Sequence, residues 1–388
     1  MMQHRLQLLT RLALLLALAG CAQAALAART WQVGPERELR VPSQAARVAE
    51  SGDTVEIDAG QYYNDYAVWN QDDLTIRGVD GIAKLGSNRL IPNDKGIWII
   101  NGKNLVLENL EFSGARVRDT NGAGIRHQGG SLTIRNAYFH HNEFSILTGR
   151  NTEADIDISN SRFWYQQRAT RFSHGIYIGT VRRFTLTGSH FKGTDQGHQI
   201  KSRALENFIA YNRIEEKEIG GSSRLIDLPN CGRSVVMGND MHQGAATANM
   251  EIIGYGAEGC EERSAAQKRL FVVNNTLVNE AIAGTLVSNH AEDAYALIAN
   301  NLVFGRAWLL RGPGEEHDNV RLRLARRVPE SWESPEGAES IDAAGSPTGA
   351  ETLVPVYEFL PPAGVQRRPE IGPLDIGSRE YRTQPGSG

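Results

Sequence analysis

The chain has 388 residues, 40% hydrophobic and 22% charged, with 40 glycines. That is an ordinary soluble composition rich in turn formers, long enough for two domains or one long repeat array. The net charge of −4 gives no global basic field, which excludes a general nucleic-acid binder; a polyanionic partner would need a local basic patch.

The N-terminus reads as an export leader over residues 1–24. Arg5 and Arg11 supply a positive start, and "LALLLALAG" (Leu12–Gly20) is an apolar run too short to span a bilayer. Two processing readings stand side by side. "LAGC" (Leu18–Cys21) resembles a bacterial lipobox and would make Cys21 a lipidated terminus, whereas "AQA" (Ala22–Ala24) suits ordinary signal cleavage. Either way the protein is expected outside the cytoplasm: periplasmic, anchored to the outer membrane, or secreted. No other run is apolar and long enough to cross a membrane. Cys231 and Cys260 then remain as a pair in an oxidising compartment, which suggests a disulfide; two separate buried thiols are the alternative.

The chain turns repetitive from about residue 72 to 312. An apolar strand runs into Asn or Gly, a large apolar residue follows, and a variable loop leads to a further strand. The phrase recurs as "LVLENLEF", "LTIRNAYF", "IDISNSRF", "FTLTGSHF", "FIAYNRI", "VVMGNDM", "FVVNNTL" and "ALIANNLV". Its marked positions are Asn109, Asn136, Asn160, Gly188, Tyr211, Gly238, Asn274 and Asn300. A unit of roughly 25 residues with short strands and no helical period cannot bury its apolar face alone, so repeats must stack as coils with parallel strand pairing. Asn212, Asn239, Asn275 and Asn301 form the next column, an amide ladder inside a turn. The expected fold is all-β: a right-handed parallel β-helix solenoid with an N-terminal capping helix, spanning 30–311. Leucine-rich repeats lack a matching leucine pattern here, and a propeller needs blades of about 40 residues. Residues 312–388 read as an irregular arm that packs back on the stack and ends in a loose tail.

The chain also resembles the pectin-lyase-like β-helix proteins. "SGDTVEIDAGQYYND" (Ser51–Asp65) is similar to their opening segment, which implies a capping helix over "PSQAARVAE" (Pro42–Glu50) before it, and "EIGPLDIGSREY" (Glu370–Tyr381) is similar to a closing phrase of that superfamily. The resemblance implies the fold across nearly all of the mature chain; activity does not follow from it, because this fold hosts many chemistries.

A second set of strands aligns on isoleucine: "GAGIRHQ", "EFSILTG", "SHGIYIG", "GHQIKSR", "SRLIDLP" and "NMEIIGY", with Ile125, Ile146, Ile176, Ile200, Ile226 and Ile252 inward. Alternation then points Arg126, Leu147, Tyr177, Lys201, Asp227 and Ile253 outward, with Arg203 and Tyr255 in the column two residues on and Gln199 and Glu251 one residue before. His174 and His198 lie two residues before the isoleucine, where strict alternation points them inward, although at the strand starts they can instead look into the groove. Arg168, Arg171 and Arg224 sit in flanking loops, and long loops at Trp164–Ser173 and Gly256–Lys268 frame the face.

A local basic face on an acidic solenoid suits a linear polyanion, and a uronate-containing polysaccharide is the expected partner. Removing the proton beside a uronate carboxylate needs that carboxylate neutralised, a base near C5 and an acid for the leaving oxygen. The roles expected are Lys201 as base, Arg203 neutralising the carboxylate, His198 or Tyr177 as proton donor, and His174 binding or orienting. Arg126, Arg168, Arg171, Arg224, Gln199, Tyr255 and Trp164 would bind substrate. This layout resembles β-helical polysaccharide lyases, some of which use calcium; Asp227 and Glu251 are the carboxylates on the aligned coils that could hold one. Asp227 could equally pair with Lys201, as an exposed cross-strand ion pair of little energetic weight. A C5-epimerase, a glycoside hydrolase on the same groove, or a non-catalytic exopolysaccharide-binding envelope protein are the alternatives, and a monomer is expected.

Overall fold

A computed structural model describes residues 28–166, 173–216, 221–324, 331–346 and 352–382. The chain winds into a right-handed parallel β-helix in which most coils carry three short strands. The first and second strands of successive coils merge into one 21-stranded sheet; the third strands form a separate ten-stranded sheet running from Ala67–Trp69 to Trp308–Arg311. A short helix, Pro42–Val48, closes the N-terminal end. It opens on proline, whose missing N–H has no partner to lose there. The Gln71 amide donates to the carbonyls of Ala46 and Ala49 at its far end.

The corner between first and second strands explains the repeated phrase. Asn109, Asn136, Asn160, Gly188, Tyr211, Gly238, Asn274 and Asn300 all have φ between 49° and 64°. That left-handed conformation costs a glycine nothing and an asparagine little. Tyr211 is the bulky exception; its ring meets Tyr357 from the C-terminal segment and its hydroxyl receives the Val356 N–H. Just past the corner, Asn212, Asn239, Asn275, Asn301 and Asn319 stack. Each Oδ1 accepts the backbone N–H of the preceding rung, and each of the last four also bonds the preceding amide side chain.

Inside the coils, Phe112, Phe139, Phe163 and Phe191 stack face to face with centroids 5.1, 5.1 and 4.5 Å apart. The third sheet pairs Ile125, Ile146, Ile176, Ile200 and Ile226 in register. The next rung corrects the sequence alignment: Ile226 pairs with Ile253, not Ile252. Two adjacent isoleucines leave the apolar pattern silent about which points inward.

Coil pairing extends past residue 311, through Glu315–His317 and Val320–Leu322. The returning C-terminal segment covers the second strands. Trp332 and Ile376 pack with Val278, Leu302 and Phe304, and Arg379 bonds the fully buried Asp240 at 2.7 Å. Residues 1–24, with the leader and Cys21, lie outside the described residues. Among the described residues, no helix is long and apolar enough to cross a membrane.

Candidate functional site

Three neighbouring third strands, Ile176–Ile178, Ile200–Ser202 and Ile226–Leu228, put Tyr177, Lys201 and Asp227 side by side on the outer face. The next residue in that row is Gly254. A Cβ there would lie 2.5 Å from Arg224 Nε, so the glycine lets the guanidinium lie across the sheet. Arg224 uses that space to bridge two carboxylates: its Nη1 is 2.8 Å from Asp227 Oδ1, and its Nε donates to Glu251 Oε2 at 3.0 Å.

The two histidines turn outward, because they precede the regular strands. Their rings stack 4.9 Å apart and nearly parallel. His174 Nδ1 accepts the N–H of His198 at 3.0 Å, and His198 Nδ1 accepts the N–H of Arg224 at 3.1 Å. With Nδ1 committed as acceptor, each neutral ring carries its proton on Nε2. Burial first, then Lys201 and Arg224, push the His198 pKa down to about 3. Burial, His198 and Lys201 put His174 well below the usual imidazole range. Both rings are therefore neutral N–H donors at neutral pH. His198 Nε2 lies 3.4 Å from Asp227 Oδ2.

The residue that completes the site comes from the long insertion. Glu258 Oε1 is 2.6 Å from Lys201 Nζ, and Oε2 is 2.6 Å from Arg203 Nη2. Partial burial works against its charge, but those two hydrogen bonds hold the carboxyl below its ordinary pKa. Arg203 also donates through Nε to the Tyr177 hydroxyl at 2.8 Å and through Nη1 to Asn230. Lys201 Nζ lies 3.1 Å from Asp227 as well, so its ammonium bridges two carboxylates. A disulfide between Cys231 and Cys260 ties the insertion to the coil beneath.

The expected basic face is thus a balanced one: Lys201, Arg203 and Arg224 are matched by Asp227, Glu251 and Glu258. Glu258, Asn230 and His290, which pairs with Glu251 at 3.2 Å, were not singled out from sequence. A cystine joining Cys231 to Cys260 was the available signal, since it draws Glu258 over the strand that carries Arg203.

Several expected binders lie elsewhere. Gln199 points into the coil, where its amide donates to the Glu215 carbonyl at 2.6 Å. Tyr255 is fully buried by the one-residue slip, with its hydroxyl on the Gly232 carbonyl. Trp164 belongs to the second-strand face, paired in register with His140 and Lys192. Asp227 and Glu251 both face Arg224, so a guanidinium stands where a shared calcium ion would have to sit. Arg168 and Arg171 lie outside the described residues. Arg126 does lie in the outer row of the third sheet, and its Nη1 is buried with no hydrogen-bond partner.

No curated protein sequence matches the chain. Among solved structures, pectate lyase Pel9A aligns with a TM-score of 0.65 at 12% identity, covering 91% of this chain and 96% of that one. An alginate lyase from Paenibacillus sp. str. FPU-7 aligns with a TM-score of 0.52 at 13% identity, covering 76% of this chain and 98% of that one. At such identities the likeness is one of fold: a pectin-lyase-like parallel β-helix. The sequence profile of the family described as periplasmic copper-binding protein (NosD) matches residues 47–252. That match spans more than half of the chain, and the protein belongs to the NosD family.

Proposed function

We propose that the third-sheet face binds the uronate residues of an acidic polysaccharide and cleaves the chain by β-elimination. The observation that carries this reading is the Lys201–Arg203 pair, which holds a single carboxylate with one oxygen on each cation. A uronate carboxylate placed there has its charge neutralised as C5 loses its proton. Lys201 bridges two carboxylates and so acts as a charge; the base role moves from Lys201 to Tyr177, whose oxygen is polarised by Arg203. As the C5 proton passes to that oxygen, the phenolic proton it carried passes to the departing O4, the C4–O4 bond breaks and a C4=C5 double bond forms, so Tyr177 ends the step as a neutral phenol. His198, whose Nε2 lies against Asp227, and His174 stacked on it flank this row and orient the departing sugar. Arg126 stands three rungs from Lys201 along the stack, about 14 Å at the usual strand spacing. It would anchor a further acidic group on a polymer lying along the solenoid.

The family description names copper, and the residues here do not fit it. Copper sites draw on thiolate, thioether and imidazole donors. Cys231 and Cys260 are consumed in a disulfide, and both groove imidazoles spend Nδ1 on backbone N–H groups beside Lys201 and Arg224. Among the described residues, no cluster of three or more His, Cys, Asp and Glu could hold a metal ion. No step is therefore routed through copper or calcium. The family's periplasmic description suits the export leader read from the sequence.

One observation favours a second reading, binding without chemistry: the balanced charges leave no cation unpaired among Lys201, Arg203 and Arg224. Incubation with pectate, alginate and other uronate polymers separates the two. Ultraviolet absorbance from an unsaturated uronate product, lost in Tyr177→Phe and Lys201→Ala, is the expected result. Retention of polymer with no unsaturation and no change in uronate configuration leaves a binding protein.

A further inference from the structure

We propose that Glu258 is an internal ligand of the site: its carboxylate occupies the uronate position between Lys201 and Arg203, and the segment carrying it must move before an acidic sugar binds. The inference rests on reading that pair as a uronate receptor. Each Glu258 oxygen meets one cation at 2.6 Å, the arrangement a bound uronate would adopt. Glu258 belongs to the insertion between the strands Glu251–Tyr255 and Arg269–Val273, not to the coil that supplies Lys201 and Arg203.

The carboxylates of the cluster differ in reach. The Asp227 side chain is 1% exposed and that of Glu251 is 17% exposed, both tied to Arg224. Glu258 is 45% exposed and sits at the solvent edge. It is the member of the set that a dissolved carboxylate can replace without burying an unpaired charge elsewhere. Its withdrawal leaves Lys201 still paired with Asp227 and frees Arg203 of any carboxylate partner in this cluster.

The tether is short and built. Cys260 is bonded to Cys231. The Glu258 N–H donates to the Pro229 carbonyl at 2.8 Å, and the Asn230 amide donates to the Gly259 carbonyl at 3.0 Å. Arg263 reaches from further along the segment to the Arg203 carbonyl. A carboxylate held this close competes at a high effective concentration. The affinity of any external carboxylate is then reduced by the fraction of molecules in which the position is free.

The test is calorimetric titration of the full chain with glucuronate, and with glucose as the uncharged control. The proteins are wild type, Glu258→Gln, Glu258→Gln with Arg203→Ala, and Cys231→Ser with Cys260→Ser. If Glu258 fills the position about nine-tenths of the time, Glu258→Gln binds glucuronate about tenfold more tightly. Glucose shows no gain, and adding Arg203→Ala removes it. The cystine-free variant shows a smaller gain; should it not fold, Glu258→Gln alone decides, since that change keeps the side chain's shape. Glucuronate affinity unchanged, weaker or undetectable in folded Glu258→Gln overturns the proposal. Wild-type turnover of polymer that falls in Glu258→Gln with no gain for glucuronate makes Glu258 part of the reaction; the internal ligand is then wrong and the β-elimination reading stands. A gain for glucuronate in a protein that cleaves no polymer supports the internal ligand and defeats β-elimination.

Discussion

An imidazole that accepts a backbone N–H at Nδ1 has already chosen its tautomer. His174 and His198 both do so, and burial beside Lys201 keeps them neutral far below pH 7. Turnover should therefore show no imidazole limb between about pH 5 and 8. A rate profile with a limb near about 6.5 that disappears in His198→Gln would contradict the assignment. Glu216 gives the opposite case. Burial raises its carboxyl to about 7, although the Gly244 N–H and the Ser222 and Thr247 hydroxyls pull it down. Its folded pKa lies above the ordinary 4.5, so the native state binds the extra proton. The stability this contributes is complete below pH 4.5 and is lost as pH rises to about 7, roughly 3 kcal/mol across the window. Urea unfolding of wild type and Glu216→Gln across that range should differ by this slope; parallel curves would contradict it. Neither behaviour was legible in sequence. The pattern placed the histidines at the strand starts, but their tautomers depend on which backbone amide each meets one coil later, and Glu216 depends on loops from two coils.

At the scale of strands and turns, legibility followed the backbone. The corner residues were found because a left-handed φ admits few residue types, and the asparagine column because amides can ladder only at one coil spacing. Asn239 satisfies the Asn212 N–H and the Ile209 carbonyl, both within the buried corner. Asn239→Ala should cost about 3 kcal/mol in chemical unfolding; a loss under about 1 kcal/mol would mean that water replaces the amide. The isoleucine register was readable wherever polar residues flanked the isoleucine. It failed at Ile252–Ile253, where both residues are apolar, and that slip misplaced Tyr255. Glu258 escaped because an insertion has no period, and the Cys231–Cys260 pair was the signal in the sequence that could place it over Arg203.

Across the whole molecule, the coils divide their outer faces. The returning C-terminal segment covers the second strands, where Arg379 and Arg213 neutralise Asp240. On the third sheet, three adjacent coils concentrate the Tyr177–Lys201–Asp227 row, and the insertion carrying Glu258 overlies it. The proposed polymer site thereby lies on one side of the solenoid. The most direct measurement is a crystal structure of the chain bound to a uronate trisaccharide. One sugar carboxylate is expected between Lys201 and Arg203, with Glu258 displaced and the oligosaccharide running along the stack toward Arg126. A trisaccharide bound away from the Ile176–Ile226 coils, or seated there with no carboxylate on Lys201 and Arg203, would contradict it.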